Sequence, residues 1–301
     1  MNRPNFLLAS VVALIAGGLG AGCEQKPATG PVPPPVPVSI IGSDLMVEIA
    51  QTFSESAERK YGIKYEVMGG GSSVGISALG NGSAAIACVA REVTDDERLA
   101  IRAARGKELV AHQIGWDANA VWVNSANPIE EISIPDLGEI FADGGSYNDW
   151  SQVSVKGSGG IVSFMKSSCS GIRDGFRLVA MKASPTAKGY RDYRPMRGAG
   201  GSKEIVDLCA ETPGGIGYTR PGYASSGVKA LRVSRDLGET AVEATQENVE
   251  NGSYPLAVSL YLYTAGEPTG DVKKFIDFVR SAEGRKLMVD DGMFPADAAT
   301  K

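Results

Sequence analysis

Three short segments of the chain combine small residues and serine immediately before stretches that are typical of helices. They are Gly42-Ser43-Asp44, Gly71-Ser72-Ser73 and Ser168-Cys169-Ser170-Gly171. The first turn of a helix carries N–H groups without an intrahelical acceptor and the positive end of the helix dipole. Glycine lets a ligand approach the backbone, and serine adds hydroxyl donors. If the three turns converge, they form a site for a small oxyanion; the alternative is that each serine caps its own helix.

The stretch from Gly71 to Gly75 also matches the G-x-S-x-G pattern of hydrolases, which would make Ser73 a nucleophile. A catalytic triad needs a general base, and His112 is the single histidine of the chain. The order Ser73, His112, Asp117 differs from the order serine, acid, histidine of α/β-hydrolases. A serine–lysine arrangement stays open as an alternative. These residues favour ligand binding over covalent catalysis, with no cofactor.

Strands alternate with helices from Val38 onward, which predicts an α/β fold that positions these turns. The predicted strands cover residues 38–41, 63–68, 84–90 and 258–264, and a further strand over 118–124 crosses between two lobes. Predicted helices follow Asp44 as far as residue 61, run from the glycine-rich loop to about Gly80, and cover 134–142 and, as one long amphipathic helix, 271–292. Residues 184–201 are predicted to form an exposed loop.

The N-terminus predicts export to the cell envelope. Arg3 precedes an apolar run from Phe6 to Leu19, and small residues then lead to Cys23. This pattern resembles a bacterial lipoprotein signal with Cys23 as the lipidated first residue of the mature chain; a plain secretory signal is the alternative. Residues 24–37 are rich in proline and predict a semi-rigid tether.

Charge and cysteine content restrict the remaining possibilities. The formal net charge of -5 and the 22% of charged residues do not indicate a nucleic-acid partner. Cys88, Cys169 and Cys209 are an odd number, so at most one disulfide can join two of them. We expect them to be small buried residues, and whether any two of them pair stays open.

Residues 40–79 resemble the opening of the phosphate-binding proteins of bacterial ABC importers. The resemblance rests on the G-S-D-x-M helix start at Gly42 and on the G-G-G-S-x-x-G loop at Gly69. It continues through 82–97, 116–150, 213–223, 254–264 and 278–295, which is nearly all of the mature chain. It implies a two-lobed periplasmic binding protein fold of type II, in which each lobe has a central mixed sheet flanked by helices and the ligand lies between the lobes.

The resemblance also implies individual ligand contacts. Ser43, Asp44 and Ser72 match ligand-contacting positions, and Arg91 matches the arginine of a Ser-Arg-Glu segment whose serine is Ala90 here. The family's Arg-x-x-x-Ser-Gly-Thr site aligns with residues 166–172, which keep Ser170 and Gly171. The expected ligand-binding set, which includes Ser73 from the glycine-rich loop, is therefore Ser43, Asp44, Ser72, Ser73, Arg91, Lys166, Ser170 and Gly171.

Three departures from that pattern, at Ala90, Lys166 and Ile172, leave the ligand's identity open. Isoleucine replaces the family's threonine at Ile172, and a lost hydrogen bond to a charged group weakens binding roughly 10- to 150-fold. Lys166 keeps a charge but lacks the bidentate fork of arginine. The ligand is then phosphate bound less tightly, another oxyanion, or a phosphate ester. Asp44 favours a protonated oxyanion, because a carboxylate repels sulfate but accepts a hydrogen bond from the proton of hydrogen phosphate; the alternative is that Asp44 only stabilises the start of its helix.

The function implied by the resemblance is capture of phosphate or a related oxyanion by a lipid-anchored binding protein that serves a membrane ABC permease. A lipoprotein of the envelope that senses an anion or acts as an interaction module is the alternative. The expected organisation is a signal peptide over residues 1–23, a tether over 24–37, one lobe over 38–118 and 258–301, and a second lobe over 119–257.

Overall fold

The computed structural model of the chain describes residues 36–166, 171–180 and 196–297. The predicted signal peptide with Cys23 and most of the predicted tether fall outside these ranges, as do Cys169 and Ser170. The elements as far as the first sheet's long strand are β1 (Val38–Gly42), α1 (Val47–Tyr61), β2 (Tyr65–Met68), α2 (Ser72–Asn81), β3 (Ile86–Val89), α3 (Asp95–Arg105) and β4 (Leu109–Ala118).

The middle of the chain contributes β5 (Ala120–Asn124), β6 (Glu131–Ser133), α4 (Ile134–Phe141), β7 (Val162–Lys166), α5 (Gly171–Ala180), β8 (Arg197–Ala199), α6 (Ser202–Glu211), β9 (Gly215–Thr219), β10 (Val228–Ser234) and α7 (Gln246–Glu250). The chain then forms β11 (Ala257–Ala265), α8 (Gly270–Arg280), α9 (Ala282–Asp290) and β12 (Phe294–Pro295). A 3₁₀ turn over Asp44–Met46 links β1 to α1.

The first sheet has the strand order β12-β4-β11-β3-β1-β2. β1 pairs in parallel with β2 and β3, and β11 runs antiparallel to β3 and β4. Every residue of β3 is buried, because helices cover both faces of the strand. Ile86 and Cys88 pack with α1 and α8, and the alternate residues Ala87 and Val89 pack with α2 and α3.

The second sheet has the strand order β6-β10-β5-β9-β7-β8 and is also mixed. Val121 of β5 packs in one core with Phe141 of α4 and Phe176 of α5. On the other face, Trp122 packs with Ile205 of α6. Two mixed sheets, each flanked by helices, confirm the α/β prediction.

The chain passes between the sheets at two adjacent places. Ala118 ends β4 in the first sheet and β5 begins in the second, so the strand predicted over 118–124 is divided at Asn119. The backbone N–H of Asn119 donates to the Leu256 carbonyl at 3.1 Å, just before β11 returns to the first sheet. The Tyr254 hydroxyl donates to the Asn119 carbonyl at 2.7 Å. The two crossings are therefore joined by hydrogen bonds.

The single long helix predicted over 271–292 is wrong. Two helices, α8 and α9, meet at Ser281, which has an extended ψ of 168°. The Ser281 hydroxyl accepts a hydrogen bond from the Gly284 N–H at 3.2 Å and caps α9. A β-carbon on Gly284 would lie 2.3 Å from the Val279 carbonyl oxygen, so the helices fold tightly onto each other at this break.

The exposed loop predicted over 184–201 needs a partial correction. Arg197–Ala199 form β8, which pairs in parallel with β7, while residues 184–195 lie outside the described residues. Cys88 and Cys209 are both buried free thiols, one in each sheet's core, and burial raises the pKa of each to about 12. Within the described ranges, no helix combines the length and apolar character that crossing a membrane requires.

Candidate ligand-binding cleft

A cleft of about 550 Å³ opens at the carboxyl ends of β1 and β3, where the loops after three strands of the first sheet come together. This edge of an open α/β sheet is the usual place for a ligand. The cleft brings together five of the predicted site residues and adds Arg177 of α5, a helix of the second sheet's layer. Its lining is Ser43, Asp44, Leu45, Gly70, Gly71, Ser72, Ser73, Val74, Ala90, Arg91, Arg177 and Val258.

Backbone hydrogen bonds hold the first two turns of the cleft together. The Ser43 N–H donates to the Cys88 carbonyl at 2.9 Å, and the Gly71 N–H donates to the Gly42 carbonyl at 2.9 Å. Gly42 makes this contact possible, because a β-carbon there would lie 1.9 Å from the Cys88 carbonyl oxygen. The turn after β1 is therefore fixed against both β3 and the glycine-rich loop.

Asp44 adds a side-chain link between the same two turns. Its Oδ1 accepts a hydrogen bond from the Gly70 N–H at 2.9 Å. Gly70 and Gly71 have φ angles of 123° and 98°, which side-chain-bearing residues rarely adopt. A β-carbon on Gly69 would lie 2.3 Å from Asp44 Oδ1. Glycine in this loop therefore provides both the backbone conformation and the space that the Asp44 carboxylate occupies.

The serines of the cleft do not cap their own helices. Ser43 precedes the 3₁₀ turn but makes no side-chain capping bond, and Gly71 is the residue at the N-cap of α2. Ser72 and Ser73 are the first residues of α2, so their N–H groups have no intrahelical acceptor. The first turn of α2 carries no acidic residue. The positive end of this helix therefore faces the cleft without an internal carboxylate to offset it.

The hydroxyls of Ser72 and Ser73 each accept one hydrogen bond from the loop after β3. Ser72 Oγ accepts from the Ala90 N–H at 3.2 Å, and Ser73 Oγ accepts from Arg91 Nη2 at 3.2 Å. A hydroxyl that accepts still has its own proton to donate. These contacts thus orient both oxygens while leaving an O–H group able to bind an anion.

Arg91 is held by Glu97 at the start of α3. The guanidinium donates to both carboxylate oxygens of Glu97 at 2.8 Å. Hydrogen bonds from Arg91, reinforced by the Thr94 backbone, lower the pKa of Glu97 to about 2, and the same pairing raises the pKa of Arg91. The carboxylate offsets much of the positive charge that Arg91 presents to the cleft.

We predict that Glu97 makes folding sensitive to acid. Because the folded-state pKa is lowered from 4.5 to about 2, the stabilisation is complete above pH ~5 and is lost as pH falls toward 2. Glu97→Gln, which can keep the cap of α3, should lower the free energy of unfolding at pH 7 by about 1–2 kcal/mol after allowance for partial exposure. The difference from the unchanged protein should vanish near pH 2.

Urea unfolding at pH 7, 4 and 2 measures this effect, with Glu55→Gln as the control because Glu55 is exposed on α1. A gap between Glu97→Gln and the unchanged protein that stayed constant across this range would contradict the assignment.

Lys166 and Gly171 lie on the second sheet's side. Lys166 ends β7, and its Nζ is 3.9 Å from Glu48 Oε1; it does not line the cleft. Gly171 is the first residue of α5, and Ser170 lies outside the described residues. Ile172 is buried in the second sheet's core, where its carbonyl accepts from Asn119 Nδ2 at 3.5 Å. The side chain at position 172 therefore packs inward.

Near the chain crossings, Arg220, Asp117 and Asp291 form an ion triad that the sequence did not predict. Arg220, which follows β9, donates to both oxygens of Asp117 on β4 at 2.9 and 3.1 Å. It also donates to Asp291 Oδ2, after α9, at 2.7 Å. Arg220 and Asp117 side chains are only 3% and 2% exposed. Burial disfavours the charged guanidinium, but both carboxylates outweigh it and raise the pKa of Arg220. The triad ties the second sheet to the first.

His112 and Asp117, the residues that would complete a triad with Ser73, make other contacts. His112 lies within β4, with Nε2 3.0 Å from Thr264 Oγ1, and does not line the cleft that contains Ser73. Burial lowers the pKa of His112. Asp117 is bound to Arg220. Among the described residues, no group of three or more His, Cys, Asp or Glu side chains is placed to hold a metal ion.

Curated relatives match almost the whole chain. The phosphate-binding protein PstS of Pseudomonas aeruginosa (strain PAO1) is 27% identical over 97% of this chain and 95% of its own length. The phosphate-binding protein PstS of Bacillus subtilis (strain 168) is 28% identical over 96% of this chain and 92% of its own.

Solved structures share the fold. A possible phosphate binding protein from Planctomyces limnophilus has a TM-score of 0.76 at 24% identity, with 87% of this chain and 93% of that one covered. A putative phosphate ABC transporter substrate-binding protein from Clostridium perfringens, solved with bound phosphate, has a TM-score of 0.58 at 25% identity, with 87% and 100% covered. The model of the PBP superfamily domain matches residues 26–283. With most of its length matched by that model, the chain belongs to the PBP superfamily.

Proposed function

We propose that the chain is an extracytoplasmic solute-binding protein that captures inorganic phosphate between two lobes and delivers it to a membrane ABC permease. One observation carries this proposal: three loops of the first sheet meet in a cleft that faces the N-terminus of α2. The relatives named as phosphate-binding proteins, and the structure with bound phosphate, support the choice of ligand.

In this proposal the lobes comprise residues 38–118 with 258–301, and residues 119–257. The bound phosphate accepts hydrogen bonds from the hydroxyls of Ser43, Ser72 and Ser73 and from the free N–H groups of α2. Arg91, oriented by Glu97, contributes charge from the first lobe. Lys166 and Gly171, with Ser170 from outside the described residues, would complete the proposed set of contacts. Binding involves no covalent step and no cofactor, so the chain is not an enzyme.

Attachment to the membrane belongs to the same proposal. Cys23 would carry the lipid, and residues 24–37 would hold the binding domain away from the bilayer surface. Mass spectrometry of the chain purified from membranes tests this, since the mature protein should begin at a lipid-modified Cys23. Isolation of a tagged chain together with a membrane ABC permease tests the transport role.

Isothermal titration calorimetry of the full chain with phosphate, arsenate and sulfate tests the ligand. We expect phosphate to bind with a micromolar dissociation constant, equivalent to about -8.2 kcal/mol, and sulfate to bind far more weakly. Absence of binding by every oxyanion would favour the interaction-module alternative and overturn the proposal.

Asp44→Asn should reduce discrimination between phosphate and sulfate by about tenfold or more. If the asparagine oxygen keeps the bond from the Gly70 N–H, its NH2 group replaces the second carboxylate oxygen, so an acceptor for the O–H of hydrogen phosphate and the charge that repels sulfate are both lost. The ratio of the two dissociation constants, measured for both proteins, checks this. An unchanged ratio would show that Asp44 only links the two turns.

A further inference from the structure

We propose that Arg220 of the second lobe and Asp291 of the first form an ionic latch that favours closed lobes and so sets part of the affinity for the bound anion. The inference rests on the proposed function, because it concerns how the lobes close on the same anion. All three nitrogens of the Arg220 guanidinium donate to acceptors of the first lobe. A side chain that follows β9 in the second sheet is thus bound by the opposite lobe.

Asp117 and Asp291 bind the Arg220 guanidinium at two different places. Nε and Nη2 donate to Asp117, which lies two residues before the crossing at Asn119. Nη1 donates to Asp291 Oδ2 at 2.7 Å and to the Asp291 carbonyl at 3.2 Å, in the turn after α9. Because Asp117 lies beside the crossing, we expect its bonds to Arg220 to change little when the lobes rotate. Asp291 would move with the rest of the first lobe, so the latch should weaken with rotation away from this arrangement.

The backbones of the two lobes are in contact beside the latch. Gly222 belongs to the 3₁₀ turn Pro221–Tyr223 of the second lobe, and a β-carbon on it would lie 3.4 Å from Gly292 Cα. A β-carbon on Gly292 would lie 3.3 Å from Arg220 Cβ. This close approach limits access of water, since the Arg220 side chain is 3% exposed and that of Asp291 is 32% exposed. A charge-assisted hydrogen bond is stronger in such surroundings than at an open surface.

A second ion pair crosses between the lobes. Lys166, at the end of β7, has its Nζ 3.9 Å from Oε1 of Glu48 in the first turn of α1. Burial raises the pKa of Asp291, and the carboxylates of Asp117 and Glu48 add to this rise although Arg220 opposes it. The three carboxylates of the first lobe therefore repel one another. Cations of the second lobe face them in this arrangement and reduce that repulsion.

Closed lobes are the form that can contact the anion from both sides. In the structure, α5 of the second lobe lies against the turn after β1, where a β-carbon on Gly175 would be 3.2 Å from Leu45 Cδ1. The apparent dissociation constant of a ligand equals its intrinsic value divided by the fraction of protein in the competent form. A latch that raises the closed fraction therefore tightens binding without touching the ligand. Its loss should mainly speed dissociation, because separated lobes release the anion.

Asp291→Asn tests the latch, because it removes the charge and keeps the shape of the side chain. The matched control is Asp290→Asn, which removes the same charge one residue earlier, where Asp290 pairs with Lys286 within α9. Calorimetry of the full chain with inorganic phosphate should give a dissociation constant raised about 3- to 10-fold in Asp291→Asn and less than about twofold in Asp290→Asn. Stopped-flow measurements should assign most of the rise to the dissociation rate.

The distance between two spin labels reports the positions of the lobes, which a merely structural role of Asp291 would not change. The labels are attached at Glu66→Cys on β2 and Arg197→Cys on β8, two exposed positions on edge strands of the two sheets. Pulsed electron spin resonance should show a larger population at long distance in Asp291→Asn than in the unchanged chain. We expect this without phosphate or at a half-saturating phosphate concentration, and Asp290→Asn should match the unchanged chain in both.

The two variants decide the inference together. Identical distance distributions of Asp291→Asn and Asp290→Asn at both phosphate concentrations would overturn it, whatever the affinities, and so would equal dissociation constants. If the unchanged chain binds no phosphate, the proposed function fails, and the distances measured without phosphate still test the latch. Glu48→Gln covers the case in which Asp291→Asn does not fold. The Glu48 side chain is 60% exposed, so its loss should shift the distances in the same direction by less, and absence of any shift would then overturn the inference.

Discussion

Arg220→Gln is expected to lower the free energy of unfolding by about 3–5 kcal/mol, the largest stability effect of any substitution considered for this chain. The reason is the buried carboxylate that remains: Asp117 would keep its charge with 2% of its side chain exposed and without its guanidinium partner. Asp291 would lose its partner as well. Urea unfolding monitored by circular dichroism measures the change.

The double variant Arg220→Gln with Asp117→Asn should recover part of that loss, because no unpaired carboxylate is left at position 117. The control is Lys203→Gln, which breaks an exposed pair with Asp207 and should cost less than about 1 kcal/mol. If Arg220→Gln unfolds with no more loss than Lys203→Gln, the triad contributes nothing to holding the two sheets together.

Gly42→Ala is expected to abolish most phosphate binding, with a loss on the order of 100-fold or more if two charge-assisted hydrogen bonds to the ligand are lost. The added methyl group would lie 1.9 Å from the Cys88 carbonyl oxygen, so β1 and β3 must move apart at the cleft. That movement would break the bonds from the Ser43 N–H and the Gly71 N–H. Unfolding stability should also fall by about 1–3 kcal/mol.

Gly62→Ala separates backbone strain from displacement of the cleft. Gly62 ends α1 with a φ of 67°, and a β-carbon there meets no atom within 4 Å. This control should lose about 1–2 kcal/mol of stability through strain alone and bind phosphate normally. Equal affinities of Gly42→Ala and Gly62→Ala in calorimetry would show that the turn after β1 does not position ligand contacts.

The first-lobe half of the site could be predicted because its signals are local. The pattern of glycine and serine before a helix is contained within four or five consecutive residues. The sequence alone therefore predicted the same type of turn for Ser43, Ser72 and Ser73. The structure adds the reason they converge: β1, which precedes Ser43, and β2, which precedes Ser72 and Ser73, are parallel neighbours whose carboxyl ends meet. Pairing of this kind depends on tertiary contacts that the spacing within each turn does not contain.

The ion triad and the end of the long predicted helix could not be read in the same way. Arg220 lies 103 residues from Asp117 and 71 from Asp291, so no motif of fixed spacing links them. Hydrophobic periodicity continues through Ser281, although the helix stops there. One local signal for the break was present, because Ser281 lies three residues before Gly284 and can cap a new helix. The continuous hydrophobic periodicity was the stronger signal and predicted a single helix. The place of Arg177 in the cleft lining had no local signal either, because it depends on how α5 packs against the turn after β1.

We expect the hydrogen-bonded pair of crossings at Asn119 and Leu256 to act as a pivot between the two sheets. Because hydrogen bonds join the two connections, we expect one half to rotate against the other at this place and to slide little. The displacement of a residue should then increase with its distance from the pivot. It should be smallest beside Asn119 and greatest at the outer edge of the cleft. A pair of fluorophores, one on each outer edge of the cleft, would report the full rotation. A cross-link beside the pivot would not prevent that rotation.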